Sequence, residues 1–110
     1  MGLRRHAAST DANQSEIVEA LEAAQFAVYR MGLPVDLLVA KWGINHVCEV
    51  KLPPSPRGGT SHSALTDGQK AFFAKWKGKG CAHVVRSPQD ALDQLKECYR
   101  EKQAKRLPDA

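Results

Sequence analysis

The chain lacks most of the features that would set it apart from an ordinary small globular protein. It has three cysteines, Cys48, Cys81 and Cys98, and no Cys-x-x-Cys pair. An odd, scattered set of thiols argues against a disulfide framework or a zinc site and suits a reducing compartment. No apolar run reaches the ~18 residues that a membrane span requires. The opening Met1-Gly2-Leu3-Arg4-Arg5-His6 has no apolar stretch of the kind a signal peptide needs, and His6 breaks the myristoylation pattern. These absences predict a cytoplasmic protein with no membrane attachment. Internal repeats and an interdomain linker are missing as well, so residues 1–110 read as one domain. A chain of this length removes roughly two-thirds of its unfolded surface from water on folding. What the composition does hold is an ordinary 43% of apolar residues and a net charge of +4. With a pI near 9.1, that balance favours an anionic partner.

The most informative stretch is 35–51. Two apolar, β-branched runs flank a break at Trp42-Gly43, the pattern of two adjacent antiparallel strands. Alternation puts Glu49 and Lys51 on the same face of the second strand. A two-residue loop at Trp42-Gly43 pairs Lys41 with Ile44 and sets Asp36 opposite Glu49. A four-residue loop keeps that register, whereas a three-residue bulged loop slips it by one. Carboxylates opposed at about 5 Å repel each other unless a positive charge lies between them. Lys51 and a divalent cation are the candidates. On the strand pattern alone, an ion pair of Lys51 with Glu49 or Asp36 serves equally well.

Around this hairpin the chain reads in order. Residues 1–9, with Arg4, Arg5 and His6, are expected to form a mobile basic arm, either idle or touching nucleic acid. Residues 1–10 and 103–110 are expected to be flexible. A helix is predicted from about Ala12 to Gln25, with Asp11 as N-cap and Gln14 at N3, and with Ile17, Ala20, Leu21 and Ala24 as its apolar stripe. Glu16 borders that stripe. Phe26 to Met31 reads as a strand closed by Gly32-Leu33-Pro34. After Lys51, residues 52–64 hold three prolines and two adjacent glycines, which exclude regular structure. In this segment Arg57 and His62 are candidate phosphate contacts, or members of a solvated linker. Thr66-Asp67-Gly68-Gln69 fits a capping box at the start of a second helix. Gln69 shares a face with Phe72, Phe73 and Trp76, so it either only caps the helix or also points toward the carboxylates. The three aromatics are expected in the core. Lys70, Lys75, Lys77 and Lys79 form a basic patch, which the helix dipole also favours near a C-terminus. The apolar run from Cys81 to Arg86 predicts a buried fourth strand, joined to the second hairpin strand by a parallel crossover. Ser87-Pro88 with Asp90 opens a last helix, whose stripe is Ala91, Leu92, Leu95, Cys98 and Tyr99.

Asp36, followed by Glu49-Val50-Lys51, then Leu65-Thr66-x-x-Gln69 opening a helix, with Glu16 on a preceding one, resembles the PD-(D/E)XK nuclease superfamily. Over about Glu16 to Leu95 the chain is similar to its small stand-alone VRR-NUC members, many of them carried by bacteriophages. Two departures stand out. The Pro-Asp dipeptide of the family is here Pro34-Val35-Asp36, and its Val-Arg-Arg signature is Val85-Arg86-Ser87. The resemblance implies an α/β fold with a restriction-endonuclease-like αβββαβ core, a mixed sheet flanked by helices. The predicted element order has that form. It also implies a Mg²⁺-dependent deoxyribonuclease, with Mn²⁺ able to substitute, acting as a homodimer on branched DNA in a bacterial or phage-infected cell. Asp36, Glu49 and the carbonyl of Val50 are the implied metal ligands, and hard oxygen donors suit such a cation. Lys51 is the implied catalytic lysine, Glu16 and Gln69 the completing residues, and Arg57, His62 and Lys70 the DNA contacts. A non-catalytic DNA-binding or assembly module of the same fold and an unrelated metal-dependent enzyme are the alternatives.

Overall fold

The computed structural model describes residues 4–54 and 64–106. Helix α1 (Arg4–Ala23) leads into strands β1 (Ala27–Arg30), β2 (Leu37–Lys41) and β3 (Ile44–Val50). Helix α2 (Asp67–Trp76), strand β4 (Cys81–Val85) and helix α3 (Pro88–Arg106) follow. The strands form one mixed sheet in the order β1-β2-β3-β4, a small α/β arrangement flanked by helices. β1, β2 and β3 pair antiparallel, and β3 with β4 pairs parallel. The element order is the one expected from the sequence. No helix among the described residues is long and apolar enough to cross a membrane.

Both terminal helices are longer than expected. The basic segment from Arg4 is helical, and Asp11, the expected N-cap, lies well inside α1. No glycine or proline interrupts 4–23, and Arg and Ala are strong helix formers, so the backbone continues where no apolar stripe announces it. The same reasoning covers α3, which holds its helix through 103–106. At its C-terminal end α1 closes in a Schellman turn. The Phe26 amide donates to Leu21 O and the Gln25 amide to Glu22 O, while Gln25 takes φ +74°. Phe26 and Leu21, the two apolar residues this motif brings together, are both buried.

The β2–β3 turn has two residues, Trp42 (φ +58°) and Gly43 (φ +78°), and Lys41 pairs with Ile44. Positive φ at both central positions matches strand twist, and glycine meets that requirement without strain. Trp42 folds back so that its ring lies 4.1 Å from Tyr99 of α3 and 5.9 Å from Phe26. The Lys41 ammonium lies over Phe26 and Trp42 and donates to Ala24 O.

The core lies between one face of the sheet and helices α1 and α3. It contains Ile17, Leu21, Phe26, Leu37, Val39, Cys48, Val50, Val85, Ala91 and Leu95. Among the described residues, the other face is covered at its β4 side, by α2. Two expectations fail here for a shared reason. Among the described residues β4 is an edge strand, and only Val85 in it is fully buried, because no further described strand pairs with it. Helix α2 therefore packs on an edge and buries none of its residues. Phe72 and Trp76 stack on each other at 4.5 Å, and Trp76 stays 37% exposed. Gly80 is what lets the indole lie close to the backbone, since a Cβ there would stand 2.5 Å from Trp76 Nε1.

Candidate active site at the ends of β2 and β3

Leu37 pairs with Cys48, so the register places Asp36, one residue before β2, beside Glu49 near the end of β3. Both face away from the core formed by Leu37, Cys48 and Val50. Asp36 is anchored from two sides. Its carbonyl accepts from the amides of Met31 (2.7 Å) and Gly32 (3.3 Å), and its Oδ2 accepts from the Val50 amide at 2.8 Å. In an extended residue the N–H and C=O point to the same side. The Val50 carbonyl is thus directed to the Asp36 side as well.

Glu49 is 4% exposed. Its Oε2 accepts from Gln69 Nε2 at 2.8 Å and lies 3.7 Å from Lys51 Nζ. Gln69 serves both of the roles open to it. Its Oε1 accepts from the Thr66 amide while its own amide donates to Thr66 Oγ1, which completes the capping box. Its remaining donor group holds Glu49. The box therefore fixes the rotamer of the side chain that orients the buried carboxylate.

Burial and the neighbouring Asp36 carboxylate push the Glu49 carboxyl up to about 7, and the Lys51 ammonium pulls in the opposite direction. The ion pair is not a solvated surface contact, because the two side chains are only 12% and 6% exposed. One ammonium does not offset the repulsion between the two carboxylates. A divalent cation would, and two carboxylates with a backbone carbonyl are the donor set that Mg²⁺ or Mn²⁺ prefers.

Glu16 is exposed on α1, and among the described residues no hydrogen bond or ion pair joins it to Asp36, Glu49 or Lys51. Among the described side chains of α1, Asn13 does reach this end of the sheet. Its Nδ2 donates to Lys51 O (3.3 Å) and Arg86 O (3.1 Å), tying the ends of β3 and β4 to the helix. Asn13 stands one turn before the buried Ile17, the only sign in the sequence that it faces inward. Arg86 adds a bond from Nη1 to Leu52 O at 2.9 Å. Lys70 is exposed, as are Lys75, Lys77 and Lys79, so the basic patch faces solvent. Arg57 and His62 lie outside the described residues.

The cysteines are less scattered in space than in sequence. Cys81 and Cys98 have their sulfurs 3.5 Å apart, beside His46 and His83. Comparison with family models, curated proteins and solved structures finds no match to this chain.

Proposed function

We propose that the chain is a metal-dependent DNA endonuclease of PD-(D/E)XK type, with a restriction-endonuclease-like core, acting in the cytoplasm on branched DNA. The observation that carries this reading is the convergence of Asp36, Glu49 and Lys51, two carboxylates in mutual repulsion with one half-buried ammonium beside them. An ion pair needs only one of those carboxylates. The second raises the local negative charge, which suits a site that receives a cation.

Asp36, Glu49 and the Val50 carbonyl would hold Mg²⁺. When bound, such an ion polarises a phosphate oxygen and lowers the pKa of a coordinated water. The protein's own groups account for the remainder. The Val50 amide and Gln69 hold the two carboxylates in place, so that little reorganisation accompanies binding. Lys51 places its side-chain nitrogen next to Glu49, where it can orient the attacking water and offset charge developing on the phosphate. Water adds to phosphorus and the bond to the 3′ oxygen breaks, leaving 5′-phosphate and 3′-hydroxyl ends. The exposed lysines around α2 supply the positive surface that a polyanion needs.

Asp36→Ala and Glu49→Ala are expected to reduce Mg²⁺-dependent cleavage to background while the protein still folds and binds DNA. Cleavage of labelled DNA with and without EDTA, beside circular dichroism and a binding assay, provides the check. Near-normal turnover in either variant would falsify the site. Metal-independent DNA binding without any cleavage in the unaltered protein would favour a binding module instead.

A further inference from the structure

The face of the sheet opposite Glu49 carries a second set of metal-binding side chains. Alternation along β3 puts His46, Cys48 and Val50 on the core side, and along β4 it does the same for Cys81, His83 and Val85. The parallel register sets His46 beside Cys81 and Cys48 beside His83. Helix α3 covers this side and brings Cys98 down onto it. His46 is 1% exposed, its Nδ1 lies 3.0 Å from His83 Nε2, and Cys98 Sγ lies 3.5 Å from Cys81 Sγ. One ligand atom from each of His46, His83 and Cys98 lies within 4.8 Å of the others.

The hydrogen bonds behind these groups orient one of them as a ligand. Gln94 Nε2 donates to Val84 O (2.8 Å) and to Asp90 Oδ1 (3.1 Å), so its Oε1 faces His83 Nδ1 as an acceptor at 3.2 Å. The His83 proton therefore sits on Nδ1, and the Nε2 lone pair is aimed at His46. A histidine whose far nitrogen is held by a fixed acceptor is the usual support for a metal ligand.

We propose that His46, His83, Cys81 and Cys98 form a four-coordinate site for a borderline-soft transition-metal ion, Zn²⁺ in the first instance. A tetrahedron with Zn–N near 2.0–2.1 Å and Zn–S near 2.3 Å has edges of about 3.3–3.8 Å. The spacings of 3.0 Å and 3.5 Å lie close to those edges; the ligand atoms of His46, His83 and Cys98 lie within 4.8 Å of one another and close with side-chain shifts of about 1 Å, and Cys81 joins them through its contact with Cys98. Nitrogen and sulfur donors with no carboxylate among them select Zn²⁺ over Mg²⁺. Access is provided by a cleft of about 780 Å³ between β4 and α3, lined by Cys81, His83, Cys98 and Lys102. With all four ligands supplied by the protein, the ion would tie α3 to the edge strand β4. The site is independent of the carboxylates on the other face.

The test starts from reduced protein stripped with EDTA and titrated with Co²⁺ and then Zn²⁺. One equivalent of Co²⁺ is expected to produce sulfur-to-cobalt charge transfer and the strong visible bands of tetrahedral coordination, and Zn²⁺ to bleach both. Zn²⁺ at 100 times its Kd should raise the melting temperature by roughly 10 °C or more. Cys81→Ser and Cys98→Ser should each lose the charge-transfer band and that rise, while Glu49→Gln keeps both. The spectrum of the unaltered protein decides the matter even if a variant folds poorly: absence of sulfur charge transfer overturns the proposal. A band that survives in the Cys81→Ser/Cys98→Ser double variant, or that disappears in Glu49→Gln, overturns it too.

Discussion

Glu49 carries the largest electrostatic tension of the candidate active site, and pH exposes it. In EDTA its carboxyl holds a proton up to about pH 7 when folded, against 4.5 as the ordinary value. A group whose folded pKa is raised contributes stability that is full below 4.5 and is lost as pH rises through about 7. At about 1.4 kcal/mol per unit, the loss is on the order of 3 kcal/mol by pH 8. Glu49→Gln removes the titration, so its stability relative to the unaltered protein should climb between pH 5 and pH 8. Urea melts of both proteins in EDTA would measure this, and parallel curves would mean that Glu49 ionises freely. Lys51 plays a different part at the same atoms. Lys51→Ala is expected to lower single-turnover cleavage far more than it weakens Mg²⁺ binding measured by calorimetry. The opposite pattern, weak binding with an unchanged chemical step, would make Lys51 a partner for the ligands rather than for the phosphate.

At the scale of elements, the start of α2 connects a local motif to a distant carboxylate. The capping box holds Thr66 and Gln69 to each other, and Gln69 alone continues to Glu49. Substituting either residue therefore separates capping from orientation. Thr66→Ala should lower stability by about 1 kcal/mol and leave cleavage nearly intact. Gln69→Ala should lower stability similarly and also reduce cleavage roughly tenfold or more, as loss of a group supporting a metal ligand does. Thermal melts and steady-state rates on the two variants check the pair of expectations. Equal effects on cleavage would reduce Gln69 to a cap. The lever is effective because α2 has no buried residue of its own to hold it in place.

Among the described residues, one sheet face is well covered and the other is open over β1 and β2. On the open face Tyr29 pairs with Leu38 across the strands, and they remain 67% and 37% exposed. This apolar pair stands on the same side of the sheet as Glu49, and we propose that it contributes to a two-fold dimer. One catalytic set cuts one strand, and a two-fold pair presents two sets in fixed relation to opposed strands of a junction. Light scattering at micromolar concentration should give twice the monomer mass. A four-way junction should be cut faster than its linear arms, with binding that weakens steeply as salt rises. A monomer that cuts linear duplex and junction at the same rate would remove both the dimer and the preference for branched DNA.

The sequence alone determined what depends on near neighbours. The turn at Trp42-Gly43, the register that follows from it, the capping box of α2, the Ser87 cap of α3 and the αβββαβ element order are all local, since each is written in periodicity, turn chemistry or caps. The register in turn places Asp36 beside Glu49. Helix ends without a breaker were not legible, because Arg, Ala, Lys and Gln support a helix without any apolar stripe to mark it, as in 4–11 and 103–106. Tertiary structure decided everything that needed two distant elements at once. It made β4 an edge strand, although its apolar run reads as buried, since a run of valines does not say how many strands lie beyond it. It left Glu16 in solvent and brought Asn13 to the strand ends. It joined Cys81 to Cys98 across 17 residues of sequence and set both beside two histidines, because sulfur spacing along a chain carries no information about which face of a helix meets which face of a sheet.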